Sequence, residues 1–215
     1  MKKTVIIKRA VPGSGKTTIS NSIAKAIKAK NLKIGIHSTD NYFMENNVYK
    51  FDVEKLEKYH KKNLQDFTKD LINQVDLVIC DNTNLSSWQS EPYTDAARKY
   101  NYQIIFIDYP PREPEKHFET QIITPEKPDA HGVPPEDILA KIEEYHKHKN
   151  LLDKNSKIDP EINIREIWDD ELNDIKKSTE ILKHYDLDFL ITIQPDEYHE
   201  AKTTIGEKIL EIMEV

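Results

Sequence analysis

Cysteine is almost absent from this sequence, in which Cys80 is the single example. An internal disulfide is therefore excluded, and a reducing environment is the simplest interpretation. Long apolar runs are absent as well, since no stretch approaches the roughly 20 apolar residues of a membrane span. The apolar run at residues 5–7 follows a basic beginning but stops at Lys8 and Arg9, too early for a signal peptide. These features predict a cytoplasmic protein without a membrane partner.

Glycine and arginine are scarce, and both scarcities restrict the candidate chemistry. Five glycines occur, and two of them, Gly13 and Gly15, lie in one short loop. Four of the 31 basic residues are arginines, so a role that needs a planar guanidinium has few candidates. The net charge of −7 argues against attraction of nucleic acid to the whole surface. A local basic groove is still compatible with this charge.

Strand and helix patterns alternate along the chain. Apolar, β-branched runs predict five strands, at residues 4–8, 34–37, 76–80, 103–107 and 189–193. Helical periodicities predict helices at about 16–30, 52–73, 86–100, 135–149 and 197–214. This alternation predicts one α/β domain over residues 1–215, with a mostly parallel five-stranded sheet, right-handed crossovers and helices on both faces. Ligands bind such sheets beyond the carboxyl ends of the strands.

Two stretches interrupt this alternation. Seven of the eleven prolines lie between Pro110 and Pro135, which predicts a long irregular excursion over about 109–135. Residues 150–186 are highly charged and lack a clear period, apart from an acidic helix candidate near 169–184. The last strand and helix, at about 188–214, follow this charged elaboration.

The loop after the first strand carries the strongest chemical signal. Residues 10–17 (AVPGSGKT) match the phosphate-binding pattern G-x-x-x-x-G-K-[ST], except that Ala10 stands at the first position. The glycines let backbone N–H groups turn towards a phosphate, and the N-terminus of the next helix adds its field. Lys16 supplies a positive charge to the β- and γ-phosphates, and the Thr17 hydroxyl is a ligand for Mg²⁺. A chance glycine turn is the alternative, which the rarity of glycine disfavours. The predicted nucleotide-binding residues of this loop are Pro12, Gly13, Ser14, Gly15, Lys16, Thr17 and Thr18.

Polar residues also follow two further strands. Asp40 stands just after the second strand, where a carboxylate can accept the proton of an attacking hydroxyl, although it can equally close a turn with Asn41. Asp81 follows the strand at 76–80, at the position of an acid that holds Mg²⁺ directly or through water. Asn84 is a candidate nucleotide ligand, or alternatively part of a turn that satisfies its own backbone. Because the preceding strands are parallel, these residues are predicted to meet the loop at one edge of the sheet.

Five segments occur in an order that resembles a known family. They are residues 11–18 (VPGSGKTT), 38–43 (STDNYF), 59–64 (YHKKNL), 81–85 (DNTNL) and 131–134 (HGVP). Together they resemble the P-loop kinases that include polynucleotide 5′-hydroxyl kinase domains and related ATP-binding proteins of the AAA type, over about residues 1–149. The resemblance implies a nucleoside-kinase-like P-loop NTPase core that uses ATP and Mg²⁺. It also implies that Asp40 is the base that activates the acceptor hydroxyl, and that residues 109–135 form a lid over ATP.

The lid departs from this family at one position. Relatives usually carry an arginine just before the segment at 131–134, where this chain has residues 126–130 (EKPDA). A guanidinium there would clamp the transferring phosphoryl group. The candidates for this cationic role are Lys127, as a point charge, and Arg112, from the base of the lid.

Three functions are open at this point, and the first of them is favoured. The first is a kinase that phosphorylates the 5′ hydroxyl of a nucleic acid, with a basic channel formed by Lys116, Lys127 and the lysines at 55–62. The second is a small-molecule kinase of the zeta-toxin type acting on a nucleotide sugar, which needs no basic channel. The third is an ATP-binding switch without catalysis, which the missing lid arginine motivates.

Overall fold

The computed structural model describes residues 1–46, 48–124, 127, 130–155 and 187–214, so the acidic helix predicted near 169–184 lies outside the described residues. Within these ranges the strands are β1 (Thr4–Ala10), β2 (Ile34–His37), β3 (Met44–Glu45), β4 (Val48–Tyr49), β5 (Leu77–Cys80), β6 (Gln103–Tyr109) and β7 (Phe189–Thr192). The helices are α1 (Lys16–Ala29), α2 (Val53–Ile72), α3 (Ser87–Lys99), α4 (Pro114–Gln121), α5 (Pro135–Asn155) and α6 (Tyr198–Glu214), with a 3₁₀ helix at Thr39–Phe43. None of these helices is both long and apolar enough to span a bilayer.

Five strands form one parallel sheet in the order β2-β5-β1-β6-β7. The predicted fold class is therefore confirmed, including the number of strands in the main sheet. Strand β1 lies at the centre of the sheet, between β5 and β6, which come later in the chain. The loop that follows β1 consequently lies at the middle of the carboxyl edge, where the strand order changes direction and ligands bind in open α/β sheets.

Both faces of the sheet are buried. On one face, Ile6 packs with apolar residues of α1 and α6, among them Ile209. On the other face, Val5 and Ile7 pack with α2 and α3, where Phe67 is a major contact. Successive side chains of a strand point to opposite faces, so coverage of both sides leaves all seven residues of β1 buried. This arrangement explains why the apolar runs of the sequence lack polar alternation.

The predicted helix ends are formed by residue types that favour them. Asp52 caps α2, where its side chain accepts a hydrogen bond from the backbone N–H of Glu54 at 3.0 Å. Ser86 caps α3 in a capping box with Gln89. Asn31, with a φ of 57°, follows α1 in the left-handed conformation that asparagine tolerates. The element pattern predicted from the sequence is confirmed at these ends.

Short elements account for the differences from the sequence-based pattern. The stretch at 109–135, predicted to be irregular, contains the eight-residue helix α4. Its first residue is Pro114, at a position where the missing N–H of proline costs no helical hydrogen bond. The 3₁₀ helix and the β3–β4 hairpin fill the connection between β2 and α2, and both are too short to show a period. Strands β1 and β6 also run beyond their predicted ends, to Ala10 and Tyr109.

Candidate functional site

Two glycines shape the loop between β1 and α1. Gly13 and Gly15 have φ values of +81° and +82°, in the left-handed region that other residues rarely adopt. A Cβ at Gly13 would collide with the hydroxyl of Thr120 in α4, and one at Gly15 would collide with the ring of Tyr198 in α6. Both positions therefore require glycine for two reasons, the backbone conformation and the close approach of a neighbouring helix.

The loop opens into a cleft of about 1840 Å³ at the carboxyl edge of the sheet. All the residues predicted to bind the nucleotide or Mg²⁺ or to act in catalysis line this cleft: Pro12, Gly13, Ser14, Gly15, Lys16, Thr17, Thr18, Asp40, Asp81, Asn84, Arg112 and Lys127. The fold thus brings together residues that are more than 100 positions apart in the chain. The chemical role of each stays a prediction.

Buried polar atoms without a hydrogen-bond partner concentrate around the loop. The described residues contain seven such side-chain atoms, and five belong to residues that line the cleft: Ser14 Oγ, Asp81 Oδ1, Tyr109 Oη, Arg112 Nε and Gln121 Oε1. An unmet buried polar group costs roughly 1–3 kcal/mol unless a ligand or water completes it. Their concentration in one cleft indicates a site that a polar ligand completes.

Lys16 stands at the first position of α1 among the charges of the cleft. Burial lowers the pKa of its ammonium group, and the carboxylates of Asp81 and Asp40 oppose this shift. Lys141, from α5, adds a further lowering of the pKa. Lys16 therefore lies within electrostatic reach of both predicted acidic residues of the site.

Asp81 belongs to a buried ion pair that the sequence pattern does not reveal. Its Oδ1 lies 3.5 Å from Nζ of Lys8, and its Oδ2 accepts a hydrogen bond from the Ser20 hydroxyl at 3.1 Å. Lys8 also donates to the Ser20 hydroxyl and to the carbonyl of Lys16. Burial lowers the pKa of Lys8 to about 8, and Asp81 opposes the shift. In the sequence, Lys8 only marks the end of an apolar run.

The residues predicted to hold Mg²⁺ fit such an ion. Thr17 is exposed in the cleft, and Oδ1 of Asp81 has no hydrogen-bond partner among the described residues. Hydroxyl and carboxylate oxygens are ligands that Mg²⁺ accepts. In the part of the chain that the structure describes, no group of three or more histidine, cysteine, aspartate or glutamate side chains could hold a metal ion. Mg²⁺ here would therefore depend on phosphate oxygens for much of its coordination.

Asn84 fixes the backbone beyond β5. Its φ is 44°, which asparagine tolerates, and its Nδ2 donates to the carbonyl of Lys8 at 2.8 Å. The same nitrogen lies 3.5 Å from Sγ of Cys80. Burial raises the pKa of the Cys80 thiol to about 12, which makes this cysteine an unreactive core residue. Asn84 thus links β5 to β1, and its contact with a nucleotide stays a prediction.

Asp40 lies in the 3₁₀ helix after β2 and is held from two sides. Tyr49 donates a hydrogen bond to Oδ1 of Asp40 at 3.2 Å, and Nδ1 of His131 lies 3.6 Å from Oδ2. The Tyr49 and His131 rings stack, with centroids 4.1 Å apart and planes at 17°. Burial and the charge of Asp40 raise the pKa of Tyr49, which keeps the phenol protonated as a donor. The Asp40 side chain is still 44% exposed, so it is accessible from the cleft.

The lid contacts the loop through His117 of α4 and through Arg112, which precedes that helix. The buried His117 ring donates from Nδ1 to the carbonyl of Pro12 at 2.8 Å and accepts at Nε2 from the backbone N–H of Arg112 at 3.0 Å. These two bonds require the neutral ring, and burial lowers the pKa of His117 accordingly. The Arg112 guanidinium donates to the carbonyl of Gly13 at 2.6 Å. Arg112 therefore lies directly against the loop, whereas Lys127 is exposed at an isolated β-bridge of the lid.

A second buried ion pair anchors α5 to the sheet. Arg9 donates to Oδ1 of Asp108 at 3.0 Å and to the carbonyl of Tyr145 at 2.8 Å. The Tyr145 hydroxyl donates to Oδ2 of Asp108 at 2.6 Å, and its ring centroid lies 3.9 Å from the Arg9 guanidinium carbon. This cluster joins β1, β6 and α5 behind the loop. Arg9, one of the four arginines, therefore has a structural role.

Comparison with known proteins gives a family and relatives. The family model described as chromatin associated protein KTI12 matches residues 4–113. NEDD4-binding protein 2 of Homo sapiens is 31% identical over 143 residues, which are 66% of this chain and 8% of that protein. The chain therefore corresponds to a small part of that relative's length.

Solved structures agree with the fold. Kti12 of Chaetomium thermophilum, in complex with ADP-AlF3, matches with a TM-score of 0.50 at 15% identity, covering 96% of this chain and 97% of that chain. APE1195 matches with a TM-score of 0.50 at 12% identity, covering 99% and 97%. At such identities the likeness shows the fold alone, and it agrees with the P-loop kinase-like fold expected from the sequence. Because the family model covers just over half of the 215 residues, the chain belongs to the family of the chromatin associated protein KTI12.

Proposed function

We propose that the cleft binds MgATP and that the protein transfers the γ-phosphate to a hydroxyl acceptor, preferably the 5′ hydroxyl of a polynucleotide. The observation that carries this proposal is the set of buried polar atoms around the loop that have no hydrogen-bond partner among the described residues. A phosphate can accept hydrogen bonds from the Ser14 hydroxyl and from Nε of Arg112, and Asp81 would be a carboxylate ligand for Mg²⁺. The ADP-AlF3 ligand of Chaetomium thermophilum Kti12 supports a nucleotide as the occupant.

Each part of the cleft has a separate task in this proposal. The backbone N–H groups of residues 13–16 surround a phosphate, and Lys16 adds positive charge beside it. Thr17 and Asp81 would hold Mg²⁺, which neutralises charge on the β- and γ-phosphates when it is bound. Arg112, just before α4, lies against the loop and stabilises the charge of the transferring group.

Asp40 is the base in the transfer step. The acceptor oxygen forms a bond to the γ-phosphorus while the bond from that phosphorus to the β–γ bridging oxygen breaks. The proton of the acceptor hydroxyl moves to Asp40, and ADP leaves. Tyr49 and His131 orient the carboxylate, which matters because catalysis of this kind depends on positioning within fractions of an ångström.

The lining of the cleft supports the end of a strand as the acceptor rather than a duplex surface. Trp88 is 67% exposed and lines the cleft, where its ring offers a face for a base to stack on. The predicted basic channel is weaker than the sequence suggests. Lys61 pairs with Glu57 at 2.6 Å, and Lys116 pairs with Glu119 at 3.4 Å.

Two other functions use the same residues. A small-molecule kinase of the zeta-toxin type needs the loop and Asp40 but no basic channel, and the paired state of Lys61 and Lys116 favours it. A non-catalytic ATP-binding switch is favoured by residues 126–130 (EKPDA), which carry no arginine. A cytoplasmic location is likewise a proposal, since the family model is described as a chromatin associated protein.

Transfer of radiolabel from γ-labelled ATP separates these functions. The assay compares oligonucleotides that carry a 5′ hydroxyl, the same oligonucleotides with a 5′ phosphate, and a pool of nucleotide sugars and other metabolites. We expect label on the 5′-hydroxyl oligonucleotides alone. Label in the metabolite pool would favour the small-molecule kinase. Tight MgATP binding without transfer to any acceptor would favour the non-catalytic ATP-binding switch.

A further inference from the structure

Lys8 carries a positive charge into the core directly beneath the loop. Its side chain has no exposed surface, and its Nζ donates to the Lys16 carbonyl and the Ser20 hydroxyl. Nζ also lies 3.5 Å from Oδ1 of Asp81, whose side chain is 2% exposed. Ser20 completes the contact, because its hydroxyl donates to the other Asp81 oxygen at 3.1 Å. The charges of Lys8 and Asp81 therefore balance each other inside the protein.

This balance bears on how a divalent metal ion can reach Asp81. A carboxylate at the wall of a cleft attracts a divalent ion when it has no cationic partner, and the buried Oδ1 of Asp81 has no hydrogen-bond partner among the described residues. Lys8 places a positive charge immediately behind that oxygen, and Lys16 adds a second one to the same electrostatic environment. A metal ion that arrives alone is repelled by both charges. A metal ion that arrives on a di- or triphosphate brings the negative charge that offsets this repulsion.

We propose that Lys8 is a built-in counter-ion of Asp81, which keeps a divalent metal from binding alone and makes metal binding depend on the nucleotide's phosphates. The inference rests on the proposed binding of MgATP. Lys8 is a positioning residue, since it acts on the ligand through Asp81. Its charge also attracts the phosphates, so ADP should bind without metal, though more weakly than MgADP.

Binding of Mn²⁺ alone tests the counter-ion directly. Electron paramagnetic resonance measures free Mn²⁺ against the nucleotide-free wild-type protein and its Lys8→Met variant, which removes the charge and keeps the length of the side chain. We expect weak binding by the wild type and a gain of about tenfold in Lys8→Met. Lys28→Met is the matched control, because it removes an exposed charge from the same helix that carries Ser20. Equal Mn²⁺ affinity in the wild type and Lys8→Met would overturn the inference.

The affinity for ADP with and without metal gives a second measure. Titration calorimetry compares ADP in Mg²⁺ with ADP in a chelator. We expect the ratio of the two affinities to rise about tenfold in Lys8→Met, because metal-free binding loses the charge of Lys8. An unchanged ratio would contradict the counter-ion role. Failure of the wild type to bind ADP in any condition would instead refute the proposed function, and the Mn²⁺ experiment would still decide on Lys8.

Removal of both charges completes the test. Lys8→Met leaves a buried carboxylate unpaired and is expected to destabilise the protein, whereas Lys8→Met with Asp81→Asn restores a neutral pair. In urea unfolding we expect the double variant to be more stable than Lys8→Met, and we expect it to lose the gained Mn²⁺ affinity. Lys8→Gln, which keeps a polar donor for Ser20, replaces Lys8→Met if that variant does not fold. Retention of the gained Mn²⁺ affinity in the double variant would assign it to another site and overturn the inference.

Discussion

The Asp40 carboxylate contacts two side chains and also faces the cleft. Tyr49 of the β3–β4 hairpin donates to one oxygen, His131 of the lid lies beside the other, and the rest of the group faces the cleft. The two rings stack on each other, so a movement of the lid would change the contacts of both Tyr49 and His131 with Asp40. The position of the proposed base therefore depends on two segments that are far apart in the sequence.

Asp40→Asn separates the basic function of this group from its structural contacts. The amide oxygen can still accept from Tyr49, but the side chain cannot take up the acceptor's proton. We expect transfer to fall by about 10²–10⁴-fold, as for loss of a general base, while the affinity for MgATP changes little. Steady-state transfer and nucleotide titration measure the two effects. Asp66→Asn is the control, since this carboxylate of α2 binds Tyr42 and Lys62 instead. Unchanged turnover in Asp40→Asn would remove Asp40 from the base role.

His117 predicts a pH dependence of stability. Its pKa lies below the ordinary value of 6.5 because the ring is buried, although its hydrogen bond to the Pro12 carbonyl opposes the shift. The unfolded chain therefore binds more protons than the folded protein below pH 6.5, and stability falls as the pH decreases through this range. His117→Asn keeps a donor for Pro12 and cannot be protonated. The wild type should lose up to about 1.4 kcal/mol per pH unit more than this variant.

Urea unfolding at several pH values between neutral and about 5 measures this difference in slope. The variant keeps part of the acid dependence, because burial also lowers the pKa of His60, against the opposing charge of Asp40. Parallel stability profiles of the wild type and His117→Asn would show that the ring is not held in its neutral form by the fold.

At the scale of elements, long and strongly patterned segments were predictable, and short ones were not. The helix that Asp52 caps and the strand at residues 77–80 follow from local sequence, because each buries a regular apolar set. Helix α4 has a mixed charged sequence, and His117 ties it to the loop through the Pro12 carbonyl, while Thr120 lies close to Gly13. Contacts of this kind form only when the chain has folded, so no local sequence pattern predicts them.

The candidate site divides in the same way. Residues 10–17, Asp40 and Asp81 could be found because each follows a strand and has a recognisable chemical character. Lys8 could not be found, because a lysine at the end of an apolar run is usually exposed, and its burial depends on Asp81, which follows the neighbouring strand β5. Tyr49 could not be found either, since the hairpin that carries it has two-residue strands. What escapes prediction is the set of partners that the folded chain supplies.

The packing of α1 against α6 predicts that a Gly→Ala substitution inside a helix lowers the stability of the protein instead of raising it. Gly206 lies in the interior of α6, where alanine would normally stabilise a helix by about 1 kcal/mol. A Cβ at this position would lie 2.5 Å from Cβ of Ala26 and 3.4 Å from the carbonyl of Ser22, both in α1. We expect Gly206→Ala to lower the free energy of unfolding by about 1–3 kcal/mol, as overpacking does. Chemical denaturation measures it.

Two further variants distinguish overpacking from a change in helix propensity. Thr203→Ala, at an exposed position of α6, should be neutral or slightly stabilising. Ala26→Gly should relieve the collision, so the double variant Ala26→Gly with Gly206→Ala should be more stable than Gly206→Ala. If Gly206→Ala stabilised the protein, the new Cβ would have to lie further from Cβ of Ala26 than 2.5 Å, so the two helices would be less closely packed at this contact.

At the scale of the whole molecule, the cleft is enclosed by parts of the chain that have separate attachments. The loop belongs to the centre of the sheet, α4 is fixed to it through His117, and α5 is fixed through Arg9, Asp108 and Tyr145. Tyr198 of α6 donates to the carbonyl of Gly15 at 3.3 Å from the opposite side. A nucleotide in the cleft would contact most of these parts at once. Its binding free energy should therefore stabilise the whole domain rather than the loop alone.

Thermal unfolding with ADP and aluminium fluoride tests which cation completes this assembly. MgADP at about 100 times its dissociation constant should stabilise the wild type by about 2.7 kcal/mol, and Lys16→Ala should lose this effect. Aluminium fluoride takes the place of the transferring phosphoryl group, and complexes of this type bind more tightly than the ground state. Because Arg112 donates to Gly13 and its Nε has no hydrogen-bond partner among the described residues, we expect Arg112→Gln to abolish the increment that aluminium fluoride adds to MgADP.

Lys127→Gln should keep that increment, since Lys127 is exposed at the β-bridge of the lid rather than bound to the loop. The reverse result, with loss in Lys127→Gln alone, would make the lysine the clamp and leave Arg112 with a purely structural contact. An increment that survives both substitutions would mean that neither cation reaches the transferring group. If aluminium fluoride added no stabilisation to MgADP in the wild type, the cleft would not recognise the geometry of the transferring phosphoryl group. That result would favour the ATP-binding switch over the kinase.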